Sequence, residues 1–425
     1  MKLKVLILAV ALVLPSGPAL AQDTTPPPRA VVEAIAERIR DQYFSVERGD
    51  AIADALEAEA ASGQYDGYSD PRDLAAALSA RLRPEDAHFV VLHDPAGPAA
   101  GPGSGGVRSQ GADIQRLSNY GFTRVEVLPG NIGLIEMRSF ANIDFGNRND
   151  PARRAADAAL ALVAHTDAVI FDLRANGGGS PAMVGYLVSA FTPPDADIYN
   201  VFHNRDGTRR ESPRVYYAAP RLDVPLYIVT SPRTGSAAEA FPYTLQAAGR
   251  ATVVGEATGG ASNPGGMVPI PGGFMVFISG GSPINPITGR NWEGTGVIPD
   301  VEAPAAVALN QTQRLALGQV LAAHPDRTDA AWALSAFRTW TGGPVPLADY
   351  AGTYGPLTVS VEDQALVVRR GRRPPMVLAP VEADLFFISG DPLMRFAFER
   401  EPSGRVIAVE QRPVFGPGMR QRRSD

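Results

Sequence analysis

The sequence predicts an α/β protein with an N-terminal helical bundle, a central α/β core and a small C-terminal all-β module. Three observations predict it. Apolar residues recur at helical spacing up to about residue 82, and from about Thr123 strand-length apolar runs alternate with helical stretches. From Leu347 onward only short β-type runs remain, punctuated by Gly, Pro and Asp. The division this implies is a helical domain over 22–94, a Gly/Pro-rich linker over 95–122, a core over 123–310, a helical connector over 311–342 and a β module over 343–425.

Ahead of these parts, residues 1–21 carry Lys2 and Lys4, then an apolar run, then Ala19-Leu20-Ala21. Charged start, short apolar run and small-residue end make a secretory signal peptide, too short to span a bilayer. The chain is therefore expected to be exported, to the periplasm or outside the cell, with no membrane span. In the bundle, Val32, Ile35, Ala36, Ile39 and Tyr43 mark one helix and 52–61 a second. Leu74, Leu78 and Leu82 behind Asp70-Pro71 mark a third. Residues 88–93 read as a short extended piece. In the core, strands are expected at 123–128, 132–137, 168–172, 225–229 and 252–254, with helices at 151–163, 181–191 and 237–248. Such alternation implies a largely parallel sheet, whose functional groups belong at the carboxyl ends of its strands. Helical stretches at 305–323 and 330–340 lead to β runs at 357–361, 365–369, 385–389, 394–399 and 406–411.

Composition narrows the chemistry. The 425-residue chain has a formal net charge of −6, five histidines (His88, His93, His165, His203, His324), no cysteine, and no lysine besides Lys2 and Lys4. Without residues 1–21 it has no lysine at all and a charge of −8. Walker-type phosphate loops, Schiff bases and Ser-Lys dyads need a lysine amine; thiol nucleophiles and Cys-based zinc sites need a cysteine. An acidic chain also lacks the phosphate-neutralising charge that nucleic-acid binding requires. No cofactor and no metal is called for, and nothing in the sequence sets the oligomeric state. A hydrolase here must work with Ser or Thr, His and carboxylates.

Two segments carry candidate chemistry. Tyr227-Ile-Val-Thr-Ser-Pro-Arg-Thr-Gly-Ser236-Ala-Ala-Glu239 reads as a strand, a tight turn and a helix that starts at Ser236. A serine there sits at the positive end of a helix dipole beside uncommitted backbone amides, which suits a nucleophile; a plain N-cap is the simpler role. Asp172-Leu-Arg174-Ala-Asn176-Gly-Gly178-Gly179 runs a buried strand into a triple glycine, where backbone amides can approach a phosphate or an oxyanion.

These segments, followed by Gly255-Glu256-Ala-Thr-Gly-Gly and by Trp292-Glu293-Gly-Thr-Gly-Val-Ile-Pro-Asp300, resemble the tail-specific (C-terminal-processing) serine protease family over about 31–309. The resemblance implies a crotonase- or ClpP-like α/β protease core and assigns Ser236 as nucleophile. The dyad members of that family carry a lysine base where this chain has Ala261. The chain is more similar to the interphotoreceptor retinoid-binding-protein-like and tricorn-core branch. In that branch a histidine from the N-terminal segment and a glutamate before the Gly-Val-x-Pro-Asp motif act with the serine, here His88 and Glu293. Imidazole is the one side chain available with a suitable pKa, and it needs a carboxylate on its far nitrogen. His93 competes with His88, but residues five apart in an extended segment face opposite ways. Oxyanion donors are expected from the backbone of Ala237 and of Gly178 or Gly179. The serine that precedes the histidine in the tricorn-like branch is Ala87 here, so a triad is expected rather than a four-residue network. The implied function is serine-type endopeptidase action on a peptide or protein substrate through an acyl-enzyme. The alternative is a catalytically weak or inactive relative that binds an apolar ligand or peptide.

Overall fold

The computed structural model describes residues 26–94, 113–338, 340–341 and 345–424, so the expected signal peptide and most of the expected linker lie outside the described residues. Three helices open the chain: α1 (Pro28–Gln42), α2 (Val46–Ala61) and α3 (Pro71–Leu82). α3 is capped by Asp70, whose side chain accepts from the Arg72 N–H, with Pro71 in the first turn. The buried stripes of all three helices close one apolar cluster with Phe89, Val91, Phe274 and Val276.

The central sheet has six strands in the order β12–β8–β7–β4–β3–β2. These are β2 (Phe122–Leu128), β3 (Ile132–Met137), β4 (Ala168–Asp172), β7 (Leu226–Thr230), β8 (Thr252–Gly255) and β12 (Val301–Glu302). β2 is antiparallel to β3, and every other pairing is parallel. Successive residues point to opposite faces, and where both faces are covered, at β4 and β7, every residue is buried. Val169, Phe171 and Ile228 pack under α4 (Pro151–Leu162), α5 (Pro181–Val188) and α6 (Ala237–Ala247). Ala168, Ile170 and Val229 pack on the other face against Ala316, Leu317 and Ala330 of α7 (Ala305–Ala323) and α8 (Thr328–Ser335). The expected α/β core is thus a three-layer sandwich, with α7 lying on its sheet and α8 packed against α7 and the C-terminal strands.

Two small sheets absent from the sequence reading flank the carboxyl ends of these strands. One pairs β1 (Val91–His93) with β10 (Phe274–Ser279) and β9 (Gly265–Ile270); the other pairs β11 (Gly281–Ile284) with β5 (Val201–Asn204) and β6 (Gly207–Arg210). The Arg205 guanidinium donates to the carbonyls of Arg40 and Tyr43 at 2.9 Å, so the second sheet is tied to the end of α1.

The C-terminal part begins with the short α9 (Leu347–Tyr350), followed by eight antiparallel strands, β13 to β20, in sequence order over 352–422. Its core holds Tyr350, Tyr354, Phe386 and Phe398. A bridge between Tyr354 and Arg423, with the Ser424 N–H on the Thr353 carbonyl at 2.9 Å, brings its last strand back to its first. The all-β expectation holds, with three strands more than the five runs expected. Among the described residues no helix is long and apolar enough to cross a membrane.

Phe89 is 1% exposed and stacks on Tyr43 with ring centroids 5.6 Å apart, clamping the segment that carries His88 to the bundle. Phe89→Ala should lower the free energy of unfolding by about 3–5 kcal/mol, read from chemical denaturation.

Candidate active site

β4 and β7 are neighbouring parallel strands, so the loops at their carboxyl ends meet. Side chains and backbone lock them together. Ser231 Oγ donates to the Arg174 carbonyl at 2.6 Å, Thr234 Oγ1 to the Leu173 carbonyl at 2.9 Å, and the Gly235 N–H to the Asn176 carbonyl at 3.1 Å. Arg174, the cation beside the triple glycine, is held by Asp172 at 2.6 Å and does not line the cavity at Ser236.

Ser236 caps α6 at φ +55°, ψ −125°. A side chain other than glycine pays for that conformation, so the turn is a strained elbow that the surrounding bonds must hold. They do so through Glu239, whose side chain accepts from the Ser236 N–H at 2.7 Å. The backbone amide of Ala237 donates to no other described residue, and neither does that of Gly179. The Gly178 amide, by contrast, is taken by Asn176 Oδ1 at 3.0 Å. Of the two glycines expected as oxyanion donors, Gly179 is the one with a free N–H. Gly179 also has no room for a side chain, since at φ +140° a Cβ would lie 2.1 Å from the Phe140 carbonyl oxygen.

His88 shares with Ser236, Ala237 and Gly179 the wall of one cavity of about 370 Å³. It lies in a turn after α3, before β1, so the extended piece expected over 88–93 is confined to Val91–His93. His93 is on the far side of that turn, over Phe274 and beside Asp70, and does not line the cavity. The imidazole of His88 stacks on Phe277 at 5.5 Å between centroids, with its Nδ1 buried and without a hydrogen-bond partner. Two carboxylates flank that nitrogen, Asp86 Oδ1 at 3.6 Å and Glu293 Oε2 at 4.0 Å.

Both carboxylates are firmly held. Glu293 Oε1 accepts from the Ala87 N–H at 3.1 Å. Its Oε2 accepts from the Ser262 N–H at 2.6 Å, Ser262 Oγ at 2.9 Å and the Asn263 N–H at 3.1 Å. Ser262 therefore supplies a hydroxyl to this network from the opposite strand of chain, although the residue before the histidine is Ala87. Asp86 was not singled out from the sequence. It is buried, and it accepts from the His88 N–H at 2.9 Å, Asn263 Nδ2 at 3.1 Å and Tyr43 Oη at 3.2 Å. Burial works against its charge, but the imidazole and main-chain N–H of His88 and the Asn263 amide outweigh it and hold the carboxyl well below the usual range. The phenol of Tyr43 is pushed up by burial and by the charge of Asp86. Asp86, His88 and Glu293 offer ligand atoms within 4.8 Å of one another. Each carboxylate already accepts several N–H or O–H bonds, which suits orientation of an imidazole better than binding of a metal.

Residues 131–303 match the family model described as Peptidase family S41, in agreement with the family that the motifs resemble. Among solved structures, a putative peptidase from Parabacteroides merdae is 18% identical, with 66% of this chain and 90% of that one covered and a TM-score of 0.47. A lipoprotein from Streptococcus agalactiae is 16% identical over 72% of this chain and 99% of its own, with a TM-score of 0.47. The photosystem II D1 C-terminal processing protease is 15% identical over 66% and 94%, with a TM-score of 0.42.

Asp86 makes a pH-dependent contribution to stability whose sign follows from its lowered pKa. A carboxyl depressed in the folded state stabilises above its unfolded value, ordinarily 3.8, and that contribution is lost as pH falls through the folded value. Asp86→Asn should destabilise the protein by about 1–3 kcal/mol at neutral pH, because an amide N–H₂ then faces donors. It should also flatten the fall of unfolding free energy below about pH 4, read by denaturant titrations at stepped pH.

Proposed function

With residues 131–303 matching peptidase family S41, we propose that this chain is an exported serine-type endopeptidase whose nucleophile is Ser236 and whose base is His88. The observation that carries the reading is one cavity with a strained serine at a helix start, an imidazole with its Nδ1 between two carboxylates, and two free backbone amides. Export rests on the signal-like residues 1–21, and the absence of lysine from the rest of the chain leaves imidazole as the base.

In this mechanism the peptide carbonyl enters beside Ser236. Its Oγ attacks the carbonyl carbon while His88 Nε2 takes the hydroxyl proton. The oxyanion that forms is met by the N–H groups of Ala237 and Gly179, which need no reorganisation because no other described residue accepts from them. His88 then returns the proton to the leaving amine, and a water repeats the sequence on the acyl-enzyme. Glu293 and Asp86 keep Nδ1–H facing them, present Nε2 to the serine, and stabilise the imidazolium. Ser262 holds Glu293 in place. The geometry supports the tricorn-like histidine-and-glutamate arrangement, with Asp86 as a second orienting carboxylate.

The test is active-site labelling with a fluorophosphonate together with peptide hydrolysis. Wild type should label and cleave, and Ser236→Ala should do neither; a wild type inert to both sinks the proposal. His88→Ala should cost at least about 10³-fold in kcat/KM. Glu293→Gln and Asp86→Asn should each cost less than that, and the double variant should approach the His88 loss if both act through the imidazole.

A further inference from the structure

Beyond the reacting groups, the cavity at Ser236 continues into a pocket walled by Phe202, Ala240, Phe277, Pro283 and Trp292. Glu211, buried just after β6, is the one acidic residue in the lining of this cavity. Its Oε2 accepts from Asn200 Nδ2 at 3.0 Å. Asn200 is fully buried and fixed in turn: its Oδ1 accepts from Asn285 Nδ2 at 3.2 Å, and its own amide reaches Thr244 Oγ1 at 3.3 Å. The carboxyl is thus held in place by neutral groups alone. Burial pushes it up to about 7, against the Asn200 hydrogen bond and the more distant Arg209. Arg209 lies over the Phe202 ring, 5.3 Å from its centroid, and not on the carboxylate. The other titratable groups around it are Arg214 on its own segment, Tyr199 on the side of Asn200, Asp144 across the neighbouring cleft and His88 across the cavity.

On the serine-peptidase reading of this site, we infer that the pocket is a specificity subsite for a basic substrate side chain, Lys or Arg. The long aliphatic stem packs on the aromatic walls and the cationic end meets Glu211. An apolar side chain would seal in a carboxyl that has one neutral partner, which is a costly way to bury it. A guanidinium or ammonium turns the same group into a charge-assisted hydrogen bond, and long basic side chains bury their stems while keeping the charge on a polar end. An acidic side chain is rejected by like charge. Because the cation needs an ionised partner, the preference should grow as pH rises through about 7.

Cleavage of a random-sequence peptide mixture, with the cut sites read by mass spectrometry, tests this directly. Wild type at pH 8 should enrich Lys and Arg at one position next to the cut by at least about tenfold over Leu, and the enrichment should shrink at pH 6. Glu211→Gln should collapse the ratio. If that variant fails to fold, the pH dependence of the wild-type ratio alone decides. A parallel measurement does not depend on turnover: calorimetric binding of n-butylguanidine to Ser236→Ala, expected to weaken at least about tenfold in the Ser236→Ala/Glu211→Gln double variant. Cleavage without basic enrichment overturns the subsite and leaves the peptidase reading standing. Absence of both cleavage and fluorophosphonate labelling overturns the peptidase reading. In that case alkylguanidine binding independent of Glu211 overturns the pocket assignment as well.

Discussion

The active-site region depends on the buried carboxylate of Glu239. It is fully sequestered, and it accepts from the Ser236 N–H at 2.7 Å, Thr258 Oγ1 at 2.5 Å, the Gly260 N–H at 2.7 Å and the Ala261 N–H at 3.0 Å. Among the described residues it has no ion-pair partner. An unpaired charge in such a place is tolerable only when hydrogen bonds saturate it, and four donors do that here. The consequence is geometric. The carboxylate stitches the strained elbow at Ser236 to the 258–261 loop, which brings Ser262 and Asn263 to Glu293. Thr258 extends the tie by accepting from the Val297 N–H at 2.6 Å, just beyond the Glu293 turn. The Ser236 end and the Glu293 end of the site are therefore one hydrogen-bonded body.

That body explains how a chain with no lysine after Lys4 keeps an organised site. Where the dyad members of the family that its motifs resemble place an amine, Ala261 gives only its backbone N–H, and that N–H serves Glu239. The next two residues serve Glu293 instead. A single loop thus positions the serine through one carboxylate and the histidine through another. The N-terminal bundle closes the arrangement from outside, because Asp86 and Ala87 each bond across to it, through Asn263 and Glu293 respectively. Removing the bundle would leave Asn263 and Glu293 without those partners, so its helices belong functionally with the core.

Much of this was legible in the sequence, and the parts that were not have physical reasons. The central strands and helices announce themselves because both sheet faces are covered, which buries every residue of β4 and β7 and leaves them apolar up to the terminal Asp172 and Thr230. Ser236, His88 and Glu293 sit inside motifs whose local pattern carries meaning. Segments 265–284 and 201–210 form strands that the sequence pattern does not signal. The first is broken by glycines and prolines that mimic a loop, and the second has an exposed half with no alternation to detect. Asp86 lay in plain view two residues before His88. The bond its side-chain Oδ1 accepts from the His88 N–H is a local Asx-type turn, which an Asp at that spacing signals. Ser262 and Glu211 had no such signal. Their roles come from partners 31 and 11 residues away, which only folding brings together.

Glu211 and Glu239 show why burial alone does not define what a carboxylate does. Both are buried near the same cavity, and both lack a salt bridge among the described residues. Glu239 receives four donors on its two oxygens and has no capacity left for a ligand. Glu211 receives one donor from a side chain and lines the cavity. The first is spent on structure. The second keeps an oxygen available, and its raised pKa is the thermodynamic expression of that unmet demand. A group whose charge the fold does not satisfy is one that an incoming cation can satisfy. Complementarity of this kind ties substrate choice to the protonation state of a single residue.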